Sequence, residues 1–539
     1  MTERTDSQIA MLARHPGAAP AIIDGEATVS YGELLAASRR LAGGLARLDL
    51  GPGDRLALWL PNVPAWLILC LACARLGVVV VSVNTRFRAV EVADIVARSG
   101  AKALVLWPDF KDIDFIAILR EIEPNALSRV ETLVLYDDND GQAGDAAMAR
   151  HRLAGLAGGD RRLLSYAELD RDATPFDGDA GRQADCAIFT TSGTTRTPKL
   201  VVHTQHSVVD QAQIVADACG FRADDAVSLA SLPFCGVFGY SLAMATLAAG
   251  RPMVSMRFFD PAEAGRLIQR HRITHIYGSD DLFHLILRAT PGERPFPNLR
   301  LCGFAAFNAA LDSIVDQGDG RGVSFVGVYG SSEAQALITC QRPDGPAEQR
   351  RQGGGYPTAE DTYVRVRDPD SGELLPPGEA GELEINCASL FDRYDGDPAA
   401  TRAAKHDDGY FRTGDLGFIE ADGRVVFLSR MGDVLRLGGF LTNPAEIEAH
   451  LEDHPSVAEC KVAAVSTDDG NRAVAFIIPT DGRALDEGAL RDHCLEGIAK
   501  YKVPIRFLAI EAFPMAESAN GLKLQRGKLS DLAQRHINP

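Results

Sequence analysis

Five short stretches of this 539-residue chain hold residue types able to do chemistry. The longest is Thr190-Thr191-Ser192-Gly193-Thr194-Thr195-Arg196-Thr197-Pro198-Lys199. So many hydroxyls around a glycine suit neither a helix interior nor a packed strand. On a loop, those hydroxyls and free backbone N–H groups suit a phosphate chain, and Lys199 adds a positive charge. The stretch is not a Walker A loop. Counted from Gly193, that pattern needs Gly-Lys-Ser/Thr, and Pro198-Lys199-Leu200 misses at two positions. Next comes Tyr329-Gly330-Ser331-Ser332-Glu333, which sets hydroxyls and a carboxylate after an apolar run at 323–328. Thr413-Gly414-Asp415-Leu416 offers a single acid, a residue type equally at home in a turn or helix cap. Ser429-Arg430-Met431-Gly432-Asp433-Val434-Leu435-Arg436-Leu437-Gly438-Gly439-Phe440 brings two arginines and three glycines. Ser518-Ala519-Asn520-Gly521-Leu522-Lys523-Leu524-Gln525-Arg526 closes the series with a lysine.

The elements that must position these residues alternate in type. Helical patterns at 31–48, 65–76 and 91–99 alternate with apolar strands at 55–60, 78–83 and 103–107. A second set runs through 226–232, 239–249, 253–256, 261–271, 275–277, 282–289 and 299–303. Such alternation predicts α/β units around largely parallel sheets. After about residue 353, short strands at 363–367, 381–386 and 424–428 stand between Pro/Gly/Asp turns, which reads as a β-rich subdomain spanning 353–430. From 431 a helix at 444–451, strands at 458–465 and 473–478, and a helix at 485–499 form a tail large enough to be a separate domain. The expected division is therefore 1–430 and 431–539, with a large α/β region and a small mobile α+β domain.

Composition narrows the function classes. Hydrophobic residues make up 46% and charged residues 24%, ordinary for a globular protein. With 55 Lys plus Arg against 73 Asp plus Glu, the net charge is −18. A chain this acidic is not expected to coat nucleic acid or an anionic membrane, though small polyanions stay open. The ten cysteines show one CxxC, Cys70-Leu71-Ala72-Cys73, inside an apolar run and without a second pair. Reduced core thiols in a cytoplasmic protein are the expectation. The apolar stretch 63–83 is cut by Arg75 and Gly77. It reads as a buried helix followed by a buried strand rather than a membrane span.

In order and spacing, the five motifs resemble the adenylate-forming superfamily. That group includes acyl-CoA and aryl-CoA synthetases, adenylation domains of peptide synthetases, and firefly luciferase. The resemblance runs from Tyr31-Gly32-Glu33-Leu34 and Leu60-Pro61-Asn62 to Lys523. It implies activation of a carboxylate by ATP to an acyl-adenylate, then displacement of AMP by a thiol, usually that of coenzyme A. Residue by residue, it makes Thr191, Ser192, Gly193, Thr194, Thr195 and Lys199 the loop over the β- and γ-phosphates. It makes Glu333 the magnesium ligand and Ser332 the contact to the α-phosphate. Asp415 becomes the acceptor of the ribose hydroxyls, with Arg430 beside it. Tyr329, Gly330, Ser331, Ala305, Ala306 and Phe307 belong to the adenine site. Lys523 becomes the cation that bridges substrate carboxylate and α-phosphate, with Lys528 as the alternative if the alignment shifts. Gly432, with Asp433 next to it, falls at the interdomain hinge. Arg436, Gly438 and Gly439 fall near the thiol-presenting loop.

Departures from the family pattern bear on substrate. Arg196 and Leu200 stand where glycines are usual. Gly236 stands where the family often has an imidazole or aromatic gate, which implies a wider or reshaped acid pocket. Phe234, Gly236, Val237, Phe238, Tyr277, Phe304, Phe307, Gln335 and Leu337 are the candidate pocket walls, without Lys, Arg or Asp. An apolar pocket suits a hydrophobic monocarboxylic acid, aliphatic, alicyclic or aromatic, and disfavours amino acids. The expected partners are that acid, ATP with Mg2+, and coenzyme A, handled by a monomer or homodimer without nucleic acid or stable membrane insertion. Two rival readings remain: an adenylating enzyme with a carrier-protein thiol or amine as acceptor, and a non-catalytic nucleotide-binding relative.

Overall fold

The computed structural model describes residues 7–137, 161–171, 174–191, 198–305, 313–431, 435–437, 440–442, 444–467, 470–480, 485–498, 500–518 and 521–537. They fall into two compact units. The first comprises Met1–Ala305, Ile314–Val364 and Ile385–Phe411; the second comprises Ala306–Ser313, Arg365–Glu384 and Arg412–Pro539.

The first unit holds two sheets. One has the strand order Arg393–Tyr394, Leu200–Thr204, Asp185–Thr190, Val79–Ser82, Arg55–Trp59, Ala103–Leu106, Thr132–Leu135 and Arg162–Ser165. Its strands from Asp185–Thr190 to Arg162–Ser165 are parallel, while Leu200–Thr204 and Arg393–Tyr394 add antiparallel edges. The other sheet has a parallel centre of Phe325–Tyr329, Leu301–Ala305, His275–Ser279, Ser228–Ala230, Met253–Ser255 and Pro20–Asp24. Its antiparallel additions include Thr339–Cys340 and Ala27–Ser30.

Parallel strands are covered on both faces, which explains their unbroken apolar runs such as Val79-Val80-Val81. The central core draws on both sheets at once. Leu56, Leu58 and Val80 meet Met253, Tyr277 and Val328 through the helices Tyr31–Ala46, Pro64–Leu76, Gln205–Ala218 and Val237–Ala248. The outer face of the first sheet packs on helices Ala89–Ser99 and Phe115–Glu121. That of the second packs on Pro261–Arg270, Asp280–Ala289 and Ile314–Asp319. The result is a layered α/β fold, with the expected elements in place to within a few residues.

The apolar stretch near Arg75 resolves as read. Helix Pro64–Leu76 stops at Gly77, whose φ of 74° is the left-handed cap conformation, and strand Val79–Ser82 follows. Among the described residues no helix is long and apolar enough to cross a membrane. Cys70 and Cys73 lie buried inside that helix; desolvation pushes the Cys70 thiol up to about 11 and raises that of Cys73 well above its ordinary value. Neither is a ready thiolate.

In the second unit, strands Tyr363–Arg367, Gly381–Asn386, Phe411–Ile419 and Val425–Arg430 pair in that order, most of each lying in this unit. Toward the C-terminus, Val457–Thr467 and Gly470–Pro479 form an antiparallel pair, extended in parallel by Arg506–Ala509. One face carries helices Pro444–Glu452 and Glu487–Gly497, the other helix Arg526–Ile537. Two hairpins, Leu435–Leu437 with Phe440–Thr442 and Met515–Ser518 with Gly521–Leu524, complete the unit.

Candidate active site

Two groups of motif residues can be built up, one in each unit. The first starts from the hairpin of Asp185–Thr190 and Leu200–Thr204, in which Thr190 faces Leu200. Beyond that pair, Thr191 N–H donates to Lys199 O at 3.0 Å and Lys199 N–H donates to Thr191 Oγ1 at 3.1 Å. The base of the hydroxyl-rich loop is thus fixed by the ladder itself. Ser192, Gly193, Thr194, Thr195 and Arg196 lie outside the described residues.

On the edge of this hairpin, Tyr394 pairs with Val201 and Arg393 with Val202. Strand alternation sends Val201 toward Phe391, Tyr394 and Phe411, and Leu200 and Val202 into the outer core. The Tyr394 hydroxyl donates to Glu333 Oε1 at 2.9 Å. The Lys199 ammonium lies 4.3 Å from the centre of the same ring. Glu333 is buried, and its backbone carbonyl accepts from Phe391 N–H at 2.7 Å. No hydrogen bond engages its other carboxylate oxygen among the described residues. One oxygen held and one available is a donor set that fits a hard dication such as Mg2+.

His203 ties the hairpin to the same turn. Its Nε2 lies 2.8 Å from Ser332 O, and because a carbonyl only accepts, that nitrogen carries the proton. Complete burial lowers its pKa from 6.5 to about 4. The unfolded chain therefore binds the extra proton as pH falls from 6.5 toward 4. Stability is intact above this window and declines through it, by about 3 kcal/mol for this ring. His275, lowered to about 4 by burial, acts in the same direction. His203→Gln is expected to shallow the fall of Tm across the window, and an unchanged slope would refute the assignment.

The turn after Glu333 is unusual. Gln335, Ala336 and Leu337 have φ of 61°, 55° and 48°, three non-glycine residues in succession in the left-handed region. Such residues cost about 1–2 kcal/mol each. Buried side chains hold them there. Gln211 Nε2 donates to Ala336 O at 2.8 Å, and Ser241 Oγ donates to Gln335 O at 2.6 Å. Within the turn, Ala336 N–H donates to Ser331 O, and Ile338 N–H donates to Tyr329 O. Gly330 is required by this close fold. A Cβ there would lie 2.5 Å from Ala336 Cα and 2.8 Å from Leu337 N. Gly330→Ala is expected to cost about 1–3 kcal/mol and to displace the turn, read by calorimetry and adenylate formation; wild-type values for both would contradict this.

The second group lies in the second unit. Strands Phe411–Ile419 and Val425–Arg430 place Asp415 directly opposite Arg430. Arg430 Nη1 donates to Asp415 Oδ1 and to Thr413 O, each at 2.8 Å. Between them Gly414 has φ 67°, and Thr413 Oγ1 accepts from Asp415 N–H at 3.0 Å. Asp415 is 3% exposed, so its carboxylate is directed by these bonds rather than by solvent.

The remaining candidates divide. Phe234, Val237, Phe238, Tyr277 and Leu337 share the central core with Tyr240 and Phe189, and Phe238 lies 5.7 Å from Tyr277 ring to ring. Gly236 is the N-cap of helix Val237–Ala248. Gln335 is 1% exposed in the left-handed turn. Phe304 is not with this group. Tyr277 pairs with Gly303 and covers it, so the next residue faces the opposite side of the sheet, where Phe304 packs with Phe283 and Phe325. Ala305 ends strand Leu301–Ala305, while Ala306 and Phe307 lie outside the described residues, as do Gly432, Asp433, Gly438 and Gly439. Arg436 is in strand Leu435–Leu437 and Lys523 in strand Gly521–Leu524. Sequence reading missed Tyr394, His203, Gln211 and Ser241. Their roles depend on partners far along the chain, and only the place of His203 four residues after Lys199 offered a local signal.

Residues 10–395 match the AMP-binding enzyme family and residues 446–520 the AMP-binding enzyme C-terminal domain. The feruloyl-CoA synthase of Amycolatopsis sp. is 30% identical over 513 residues, covering 94% of each chain. The putative acyl-CoA synthetase YngI of Bacillus subtilis is 26% identical over 525 residues, covering 93% of this chain and 91% of that one. Among solved structures, the O-succinylbenzoate coenzyme A synthetase of Bacillus subtilis in complex with AMP superposes with a TM-score of 0.78 at 24% identity, covering 98% of both chains. With the family matched over most of its length, the chain belongs to the AMP-binding enzymes, the adenylate-forming acyl- and aryl-CoA ligases.

Proposed function

We propose that this chain is an ATP-dependent acid–thiol ligase that joins a hydrophobic carboxylic acid to coenzyme A. The observation that carries this reading is the grouping of Lys199, Tyr394 and Glu333: an ammonium over a ring whose hydroxyl holds a carboxylate, next to the Thr191–Lys199 backbone pair. In the first half-reaction a carboxylate oxygen of the acid attacks the α-phosphorus of ATP. The bond from that phosphorus to its bridging oxygen breaks, and pyrophosphate leaves. In the second, the thiolate attacks the acyl carbon, and AMP leaves with the electrons of the C–O bond.

Thr191, Ser192, Gly193, Thr194, Thr195 and Lys199 hold the β- and γ-phosphates, and Ser332 contacts the α-phosphate. Glu333 holds Mg2+, which when bound supplies charge neutralisation to the phosphates. Tyr329, Gly330, Ser331 and Ala305 border the adenine. Asp415 accepts from the ribose hydroxyls, braced by Arg430. Lys523 offsets the repulsion of the two reacting anions. Phe234, Val237, Phe238, Tyr277 and Leu337 form the apolar wall against the acid. The feruloyl and acyl names of these two relatives support a hydrophobic acid of this kind.

AMP release measured over a panel of aliphatic, alicyclic and aromatic acids, with and without coenzyme A, tests the reading. Multiple turnover is expected only with coenzyme A and a hydrophobic acid. AMP release indifferent to coenzyme A would assign another acceptor.

A further inference from the structure

Tyr394 belongs to none of the five motifs, yet it touches two of them. Its hydroxyl donates to Glu333 Oε1 at 2.9 Å, and its ring carries the Lys199 ammonium at 4.3 Å. The ring is 3% exposed and firmly seated. Its own N–H donates to Thr401 Oγ1 at 3.0 Å, and the next residue, Asp395, donates its N–H to Leu200 O at 2.8 Å. On either side, Arg393 pairs with Asp185 at 2.6 Å and Asp395 with Arg55 at 2.9 Å. Lys405 Nζ donates to Phe391 O and Asp392 O at 2.7 and 2.8 Å. The two-residue strand is thus tied down along its whole length.

This arrangement solves a particular problem. Lys199, part-buried, and Glu333, buried, carry opposite charges around one ring. Left to themselves they would pair, since an ammonium and a carboxylate in low dielectric attract strongly. Such a pair would withhold the cation from phosphate and the carboxylate from a metal ion. The ring gives the ammonium a face to rest on without neutralising it. The hydroxyl gives the carboxylate a hydrogen bond that fixes one oxygen and leaves the other. Resting on the adenylation reading of this site, we propose that Tyr394 is a positioning residue: it holds Lys199 and Glu333 apart, one ready for the nucleotide's phosphates and the other oriented for Mg2+.

The proposal separates hydroxyl from ring. Tyr394→Phe keeps the ring and removes the hydroxyl. It is expected to weaken Mg2+ dependence about tenfold or more, the usual effect of losing a hydrogen bond to a metal ligand, with the KM for the acid unchanged. Tyr394→Leu removes both and is expected to weaken binding of Mg·ATP further, because Lys199 can then close on Glu333. Adding Lys199→Met to Tyr394→Leu breaks that pair. It is expected to return Mn2+ affinity, measured by electron paramagnetic resonance without nucleotide, toward that of Tyr394→Phe. Calorimetric titration of Mg·ATP into each full-length variant, together with Tm, completes the set. A Tyr394→Phe protein with wild-type Mg2+ dependence would overturn the proposal. So would a double variant binding Mn2+ no better than Tyr394→Leu, or changes that follow Tm alone. If the wild-type chain itself fails to bind Mg·ATP, the adenylation reading falls and takes the proposal with it. Binding by wild type with no effect at Tyr394 defeats the proposal alone.

Discussion

An alanine at position 523 is expected to slow pyrophosphate release by about a hundredfold to a thousandfold, the scale set by removing one preorganised electrostatic stabiliser of a transition state. Thioester formation from pre-made acyl-adenylate is expected to stay close to wild type. The reason is the chemistry of the first step. A carboxylate must reach a phosphorus surrounded by negative oxygens, and only that step brings the two anions together. The backbone frame supports a local effect. Strand Gly521–Leu524 pairs with Met515–Ser518, placing Lys523 opposite Ala516. Gln525 N–H donates to Pro514 O at 2.8 Å, and Arg526 Nη1 pairs at 2.6 Å with Glu448, which is 3% exposed. These main-chain bonds and this ion pair remain in the variant, so Tm is expected to hold. Lys528, exposed in helix Arg526–Ile537, is the comparison. If Lys528→Ala loses adenylation and Lys523→Ala does not, the role moves to Lys528. Equal loss of both half-reactions would remove Lys523 from the mechanism.

Glu333→Gln is expected to lower adenylation by about a hundredfold or more while Tm rises or stays level. The amide oxygen can still accept from Tyr394, so the local geometry has reason to persist. What disappears is the charge that fits a hard dication. Glu333 has no ion-pair partner among the described residues, although it is 7% exposed. A buried carboxylate without a counter-charge costs stability, and removing it returns some of that cost. The opposed signs of activity and stability would mark a residue retained for function. Steady-state AMP formation against Mg2+ concentration, with scanning calorimetry, measures both. Retained activity at ordinary Mg2+ would sink the assignment, and a Tm lowered by several degrees would instead make Glu333 a structural anchor.

How far the chain could be read in advance depends on the range of the contacts involved. The helix Pro64–Leu76, its stop at Gly77 and the strand after it follow from neighbouring residues alone. The same holds for Ser30, which caps the helix Tyr31–Ala46 in a reciprocal bond with Glu33. The candidate site motifs were legible because each is a short contiguous run. Its supports were not. Gln211 and Ser241 hold the turn at 335–337 from 125 and 94 residues away, and Tyr394 reaches Glu333 from 61 away. Nothing near Gln211 or Ser241 in sequence sets them apart from other helix polar residues. Phe304 shows the same limit at shorter range. An aromatic residue in a buried strand faces one of two cores, and only the pairing of Tyr277 with Gly303 decides which.

The left-handed turn at Gln335, Ala336 and Leu337 has an implication for anyone who wishes to re-engineer this enzyme. Its shape is set through main-chain carbonyls, gripped by Gln211 and Ser241, and not through the three side chains themselves. A combinatorial library at these positions must still choose side chains that fit a packed interior, since all three residues are buried, Ala336 at 7% and Gln335 and Leu337 at 1% exposed. Torsion narrows the choice further: the left-handed backbone favours Gly and bars Val, Ile and Thr by their branched Cβ. Gln211 and Ser241 would be left untouched in any such library, although neither needs to meet a substrate.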